Sequence, residues 1–191
     1  MLHTIRGMIT AKYDDSVVLD WNGMGFKVHT NARTLSLLPP EGREAKLFCH
    51  LFVREDRIEL YGFFAEEDLT MFEMLNSVGG VGPKTALGVL DIDRVPNIMA
   101  AILEKRADVL THASGIGKKT AERIILELQN KVKLPEGHET KSMNVNHEVE
   151  DVLVGLGYAR HDVRAVLQSM KGEETLEERL RHALRELGTT K

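Results

Sequence analysis

Apolar and polar positions change period once along this chain. His3, Ile5, Gly7 and Ile9 alternate with Thr4, Arg6, Met8 and Thr10, a period of two that predicts a strand. Val17-Val18-Leu19 and Phe26-Lys27-Val28 are short β-rich runs joined through Asn22-Gly23, a hairpin signal. After Pro39-Pro40, the runs from Lys46 to Val53 and from Ile58 to Gly62 flank a charged tip, Arg54-Glu55-Asp56-Arg57. Five short strands in the first 63 residues predict a small closed or partly open barrel. From Glu66 the spacing becomes helical, with Leu69, Phe72 and Leu75 on one face. Further helices are predicted at Lys84–Leu90, Val95–Glu104, Ala107–His112 and Lys118–Val132. The stretch from Leu134 to about Asn146 is polar, contains Pro135 and Gly137, and reads as a linker. The remainder predicts three short helices: Val149–Leu156, His161–Met170, and Thr175–Leu187 opened by a Thr175-x-x-Glu178 capping box. The expected domains are 1–64, 65–134, a linker at 135–147, and 148–191, an α+β multidomain chain.

Composition changes this picture little. The chain has 191 residues, 42% of them hydrophobic and 28% charged, as in ordinary globular proteins. No apolar run is long enough to predict a membrane span, and no signal peptide is evident. The single Cys49 lies in an apolar run and reads as a buried strand residue rather than a nucleophile. These features predict a cytosolic protein. The net charge of -4 disfavours a nucleic-acid partner, but its distribution does not. Within residues 114–133, five basic residues face two acidic ones, and local field outweighs total charge in phosphate binding.

One segment occurs twice. Gly80-Val81-Gly82-Pro83-Lys84-Thr85-Ala86 returns 35 residues later as Gly115-Ile116-Gly117-Lys118-Lys119-Thr120-Ala121. Each copy fits a helix–hairpin–helix pattern. The glycines permit positive φ and close backbone approach. The apolar residue between them can plug the junction of two helices. The next helix opens with free N–H groups and a positive dipole end. Lys84 and Lys119 add a charge at equivalent positions, and Lys118 and Arg123 extend the patch. Such contacts hold a phosphate backbone without reading bases, and they weaken steeply with salt. One copy alone would read as a helix cap and tight turn; two in register point to phosphate binding. The nucleotide-binding P-loop fails on spacing, because no Gly-x4-Gly-Lys-Ser/Thr is present at either copy.

With these motifs in this order, the chain resembles the RuvA family, the Holliday-junction-binding subunits of the bacterial branch-migration complex. The resemblance spans nearly the whole length. It rests on Val53-Arg54-Glu55-Asp56 with Leu60-Tyr61-Gly62-Phe63, on both hairpins through Glu122-Arg123, and on Leu156-Gly157-Tyr158. It implies an OB-fold barrel, an all-α tandem helix–hairpin–helix domain and a mobile three-helix, UBA-like C-terminal module. It also implies a homotetramer that holds a four-way junction open, two of which can sandwich the DNA as an octamer. The implied partners are the ring ATPase RuvB, recruited by the C-terminal module, and the resolvase RuvC. The setting would be homologous recombination, DNA repair and the SOS response, with ATP hydrolysis on RuvB and no cofactor here.

Without the resemblance, Arg54-Glu55-Asp56-Arg57 reads as a solvated hairpin turn. The resemblance makes Glu55 and Asp56 an acidic pin near the four-fold centre, repelling phosphates so that duplex cannot run across it. Arg54 would contact phosphate beside the pin; its alternative is a surface ion pair with Asp56. His29 could face DNA or be an exposed strand-end residue, and Trp21 and Tyr61 read as core or barrel-rim residues. Leu156, Gly157 and Tyr158 would touch RuvB, or only close the small helical core. No His/Cys/Asp cluster has metal-ligand spacing, and no catalytic constellation is supported. A nuclease or glycosylase with hairpin anchors would need a carboxylate cluster or lysine–aspartate pair. A single-strand-binding barrel would need exposed aromatics among basic residues, and the aromatics, 5% of the chain, read as buried.

Overall fold

The computed structural model describes residues 2–134, 149–170 and 176–188. The predicted linker and Thr175 of the capping box lie outside them. The chain divides into two compact units, one through Pro135 and the other from Glu136.

The first unit opens with β1 (Thr4–Lys12), β2 (Ser16–Trp21) and β3 (Met24–His29), followed after a short helix by β4 (Glu44–Val53) and β5 (Ile58–Phe63). These strands close into a barrel in the order β1-β2-β3-β5-β4. Neighbours are antiparallel except at the closure, where β3 and β5 run parallel through Val28↔Leu60 and His29↔Tyr61. The period of two determines what faces inward: Ile5, Ile9, Val17, Leu19, Val28 and Leu47 are buried, while Arg6, Met8 and Thr10 are exposed. Asn22 (φ 52°) and Gly23 (φ 85°) make the two-residue turn between β2 and β3, as Asn-Gly predicts.

The sequence reading misses one element. Helix α1 (Ala32–Leu37) crosses between β3 and β4. With six residues, its apolar periodicity is too brief to register. Its signal is the N-cap: the Asn31 side chain accepts from the Thr34 N–H at 3.0 Å. Asn31, Ala32 and Arg33 then reach the helical region. The Ala32 N–H donates to Asp91 at 3.0 Å, and the Arg33 guanidinium pairs with the buried Asp68 carboxylate.

That region comprises α2 (Glu66–Asn76), α3 (Pro83–Leu90), α4 (Val95–Leu103), α5 (Ala107–Leu110) and α6 (Lys118–Leu128). Helices α5 and α6 end earlier than predicted, although Val132 beyond α6 is still buried. Phe72 of α2 joins this region to the barrel. Its ring lies 5.2 Å from Tyr61 and 5.0 Å from Phe63, with His50 5.6 Å away. Cys49 is buried as expected, and burial pushes its thiol up to about 12, so it is no nucleophile at neutral pH.

The second unit contains α7 (residues 149–155), α8 (Arg160–Ser169) and α9 (Leu176–Gly188). Val149, Leu153, Val163, Leu167, Ala183 and Leu187 form its small core. The barrel, the hairpin helices and the C-terminal helices thus match the α+β architecture expected from sequence. Among the described residues, no helix is long and apolar enough to cross a membrane.

Candidate nucleic-acid interface

The two glycine segments adopt the same backbone. Gly80 and Gly115 have φ of 87° and 82°, while Gly82 and Gly117 are extended N-caps at φ −93° and −91°. Of the two glycines that permit positive φ, only the first of each pair adopts it. The equivalent turn bonds also repeat. Val81 N–H donates to Val78 at 3.0 Å and Ile116 N–H to Ala113 at 3.2 Å. The next helix then begins with Ala86 N–H to Gly82 at 2.9 Å and Ala121 N–H to Gly117 at 3.0 Å. Val81 and Ile116 are buried, as the plug reading requires.

No side chain caps α3 or α6. Their first-turn N–H groups thus remain available to an external acceptor, with the positive dipole end behind them. A Cβ placed on Gly82 or Gly117 would meet nothing within 4 Å, so the approach is open. Lys84, Lys118 and Lys119 are exposed beside these openings. The copies differ at the first helical position. Pro83 there has no N–H, whereas Lys118 supplies both an N–H and a charge.

Arg123 is placed differently from the lysines. Its Nη1 donates to the Gly79 carbonyl at 2.9 Å, from the helix of the second hairpin to the loop of the first. Gly88 of α3 faces the Ser114 backbone, with 3.6 Å between its notional Cβ and the Ser114 oxygen. The hairpins therefore pack on each other. Sequence reasoning overlooked Gly88; a glycine inside a helix, where it costs stability, was the available signal.

The charged tip expected to form the pin is a tight turn closed by Arg54 N–H to the Arg57 carbonyl at 2.9 Å. Glu55 and Asp56 are both exposed on it. Asp56 pairs with Arg57 at 3.4 Å rather than with Arg54, whose guanidinium lies 5.0 Å from the Phe52 ring centroid. This corrects the alternative role expected for Arg54: adjacent side chains in a tight turn meet more easily. Val53 and Ile58, paired across β4 and β5, stand exposed just below the tip. Between the pin and the first hairpin lies a groove of about 440 Å³.

Two further expectations change. His29, the last residue of β3, is half-buried rather than exposed, its ring tilted against Tyr61 at 5.7 Å. Tyr61 is core, at 3% exposure, and Trp21 is exposed at the end of β2, in keeping with the core-or-rim reading. Tyr13, Trp21 and Phe64 are exposed, so the aromatics are not uniformly buried. In the second unit, Leu156 is 63% exposed, Gly157 turns at φ 95°, and Tyr158 packs against the helical core. Among the described residues, no group of three His, Cys, Asp or Glu side chains is arranged to hold a metal ion.

The sequence matches three family models in succession. These are the RuvA N terminal domain over residues 1–62, a SAM-like helix-hairpin-helix tandem over 72–130, and the RuvA C-terminal domain over 144–188. A protein of Caldanaerobacter subterraneus subsp. tengcongensis is 39% identical over 187 residues, covering 98% of this chain and 99% of its own. One from Thermoanaerobacter pseudethanolicus is equally similar, and one from Clostridium botulinum is 35% identical over 195 residues, with the same coverage. All three are named Holliday junction branch migration complex subunit RuvA. Full-length identity at this level, with the barrel, the paired hairpins and the C-terminal helices in family order, leaves one assignment: the chain belongs to the RuvA family.

Proposed function

We propose that this chain binds four-way junction DNA as a homotetramer and delivers it to the RuvB motor for branch migration. The observation that carries the reading is the duplicated backbone: two hairpins with matching φ angles and turn bonds, each leading into an uncapped helix. Gly80, Gly82, Lys84, Gly115, Gly117, Lys118 and Lys119 form two phosphate grips. Arg54 contributes beside the pin, and Arg123 adds charge while holding the grips together. The relatives' shared name supports the junction as substrate.

The grips alone would hold any duplex. Preference for a junction comes from repetition around a symmetric centre, where Glu55 and Asp56 of each subunit repel phosphates and part the strands. The chain then acts as a DNA-binding subunit, with ATP hydrolysis on RuvB and resolution by RuvC. RuvB docks on the C-terminal helices around Leu156, Gly157 and Tyr158. Two tetramers can enclose one junction.

A gel-shift series with four-way junction, linear duplex and single strand tests this. The wild-type chain is expected to retain the junction at concentrations that leave duplex free. Replacing Glu55 and Asp56 with Gln and Asn is expected to strengthen duplex binding and narrow the difference. An unchanged junction preference in that variant would remove the pin from the mechanism. Metal-dependent cleavage of the junction would replace this reading with a nuclease.

A further inference from the structure

The groove between the charged tip and the first hairpin takes in Gly82 and Lys84 of the first grip together with Phe52, Arg57 and Glu59, which no grip uses. Phe52, Arg54, Asp56, Arg57 and Glu59 line it from the strands and the tip, and Lys84 lines it from the hairpin side. Its volume, about 440 Å³, is that of a small-molecule site. A volume of this size takes a nucleotide-sized group and not a whole double helix. The lining suits a single nucleotide. Arg54 stacks on Phe52 and offers a cationic plane to a base. Arg57 and Lys84 supply positive charge from the tip and from the hairpin side for one phosphate. Glu59, already accepting the Tyr61 hydroxyl at 2.9 Å, keeps acceptor capacity for an exocyclic amine. The Asp56 carboxylate of the tip lines the groove, where its repulsion would first open a base pair.

We propose that this groove seats one unpaired nucleotide of the strand that crosses the junction, with Arg57 as a phosphate ligand. The proposal rests on the junction-binding reading. Arg57 then has two roles: without DNA it neutralises Asp56, and with DNA it turns to the strand, leaving the pin more acidic as the strands part.

The test uses the full chain, a junction carrying 2-aminopurine at the crossover, a short oligodeoxycytidylate and a linear duplex. R57Q is compared with wild type and with R43Q, a charge control in the turn that leads into the opposite end of β4. Expected for R57Q are oligonucleotide binding about tenfold weaker, the scale of one charge-assisted contact, and loss of the 2-aminopurine brightening seen with wild type. Duplex affinity is expected to stay the same. Equal weakening in R57Q and R43Q would reduce the effect to general field and overturn the proposal. Unchanged brightening or oligonucleotide affinity in R57Q would also overturn it, with junction preference intact. Absence of junction preference in wild type would instead overturn the parent reading.

Discussion

Gly80 and Gly82 are two residues apart and perform different tasks. At Gly80, φ of 87° is a left-handed conformation that a side chain raises in energy. Gly80→Ala is therefore expected to cost about 1–2 kcal/mol of stability, read as a lower urea midpoint. At Gly82 the backbone is extended and any residue fits it. Gly82→Ala is expected to cost less than about 1 kcal/mol, the difference between a fair and a poor N-cap. Its methyl occupies the space through which a phosphate would approach, so duplex affinity is expected to fall in fluorescence anisotropy. A pair of variants that lost stability equally would contradict this division. The repeat itself was plain in the sequence because seven aligned positions carried it. The division of labour within it was not, since both glycines look alike until dihedral angles separate them.

At the scale of elements, helix α1 is one of the ties between the barrel and the hairpin helices. Arg33 reaches from it to Asp68 on α2, whose side chain is 3% exposed, and Ala32 binds Asp91 at the end of α3. A buried carboxylate paired this way is costly to leave alone. Arg33→Ala is expected to destabilise the first unit by about 3 kcal/mol or more, because it strands the Asp68 charge. Thermal unfolding monitored by circular dichroism checks this. Replacing both residues with apolar side chains is expected to recover much of the loss, which a purely steric role for Arg33 would not allow. The strands and long helices were legible because each repeats its period several times. The six-residue α1 was not, and its partners Asp68 and Asp91 lie 35 or more positions from Arg33 and Ala32. No local pattern encodes such a pairing. The same holds for Arg123, whose basic character suggested a phosphate contact, while its bond to Gly79 spans 44 positions.

For the whole molecule, the chain divides into two compact units, and the proposed function assigns grip to the first and recruitment to the second. The C-terminal helices have their own core of Val149, Leu153, Val163 and Leu167 with Ala183 and Leu187. Deleting residues 149–191 is expected to leave junction binding within about twofold, since no phosphate grip is removed. It is also expected to abolish stimulation of RuvB ATPase in a coupled assay. Loss of junction binding in the truncated chain would mean that grip and recruitment are not separable.

Backbone amides present no pattern that matches one base sequence over another. A duplex advancing past the uncapped ends of α3 and α6 would meet the same donors at every step, at nearly the same energy. A side chain bonded to a base edge would instead favour one register and resist leaving it. As the proposed grips, the paired hairpins would work as a bearing, holding DNA firmly across its axis while offering little friction along it.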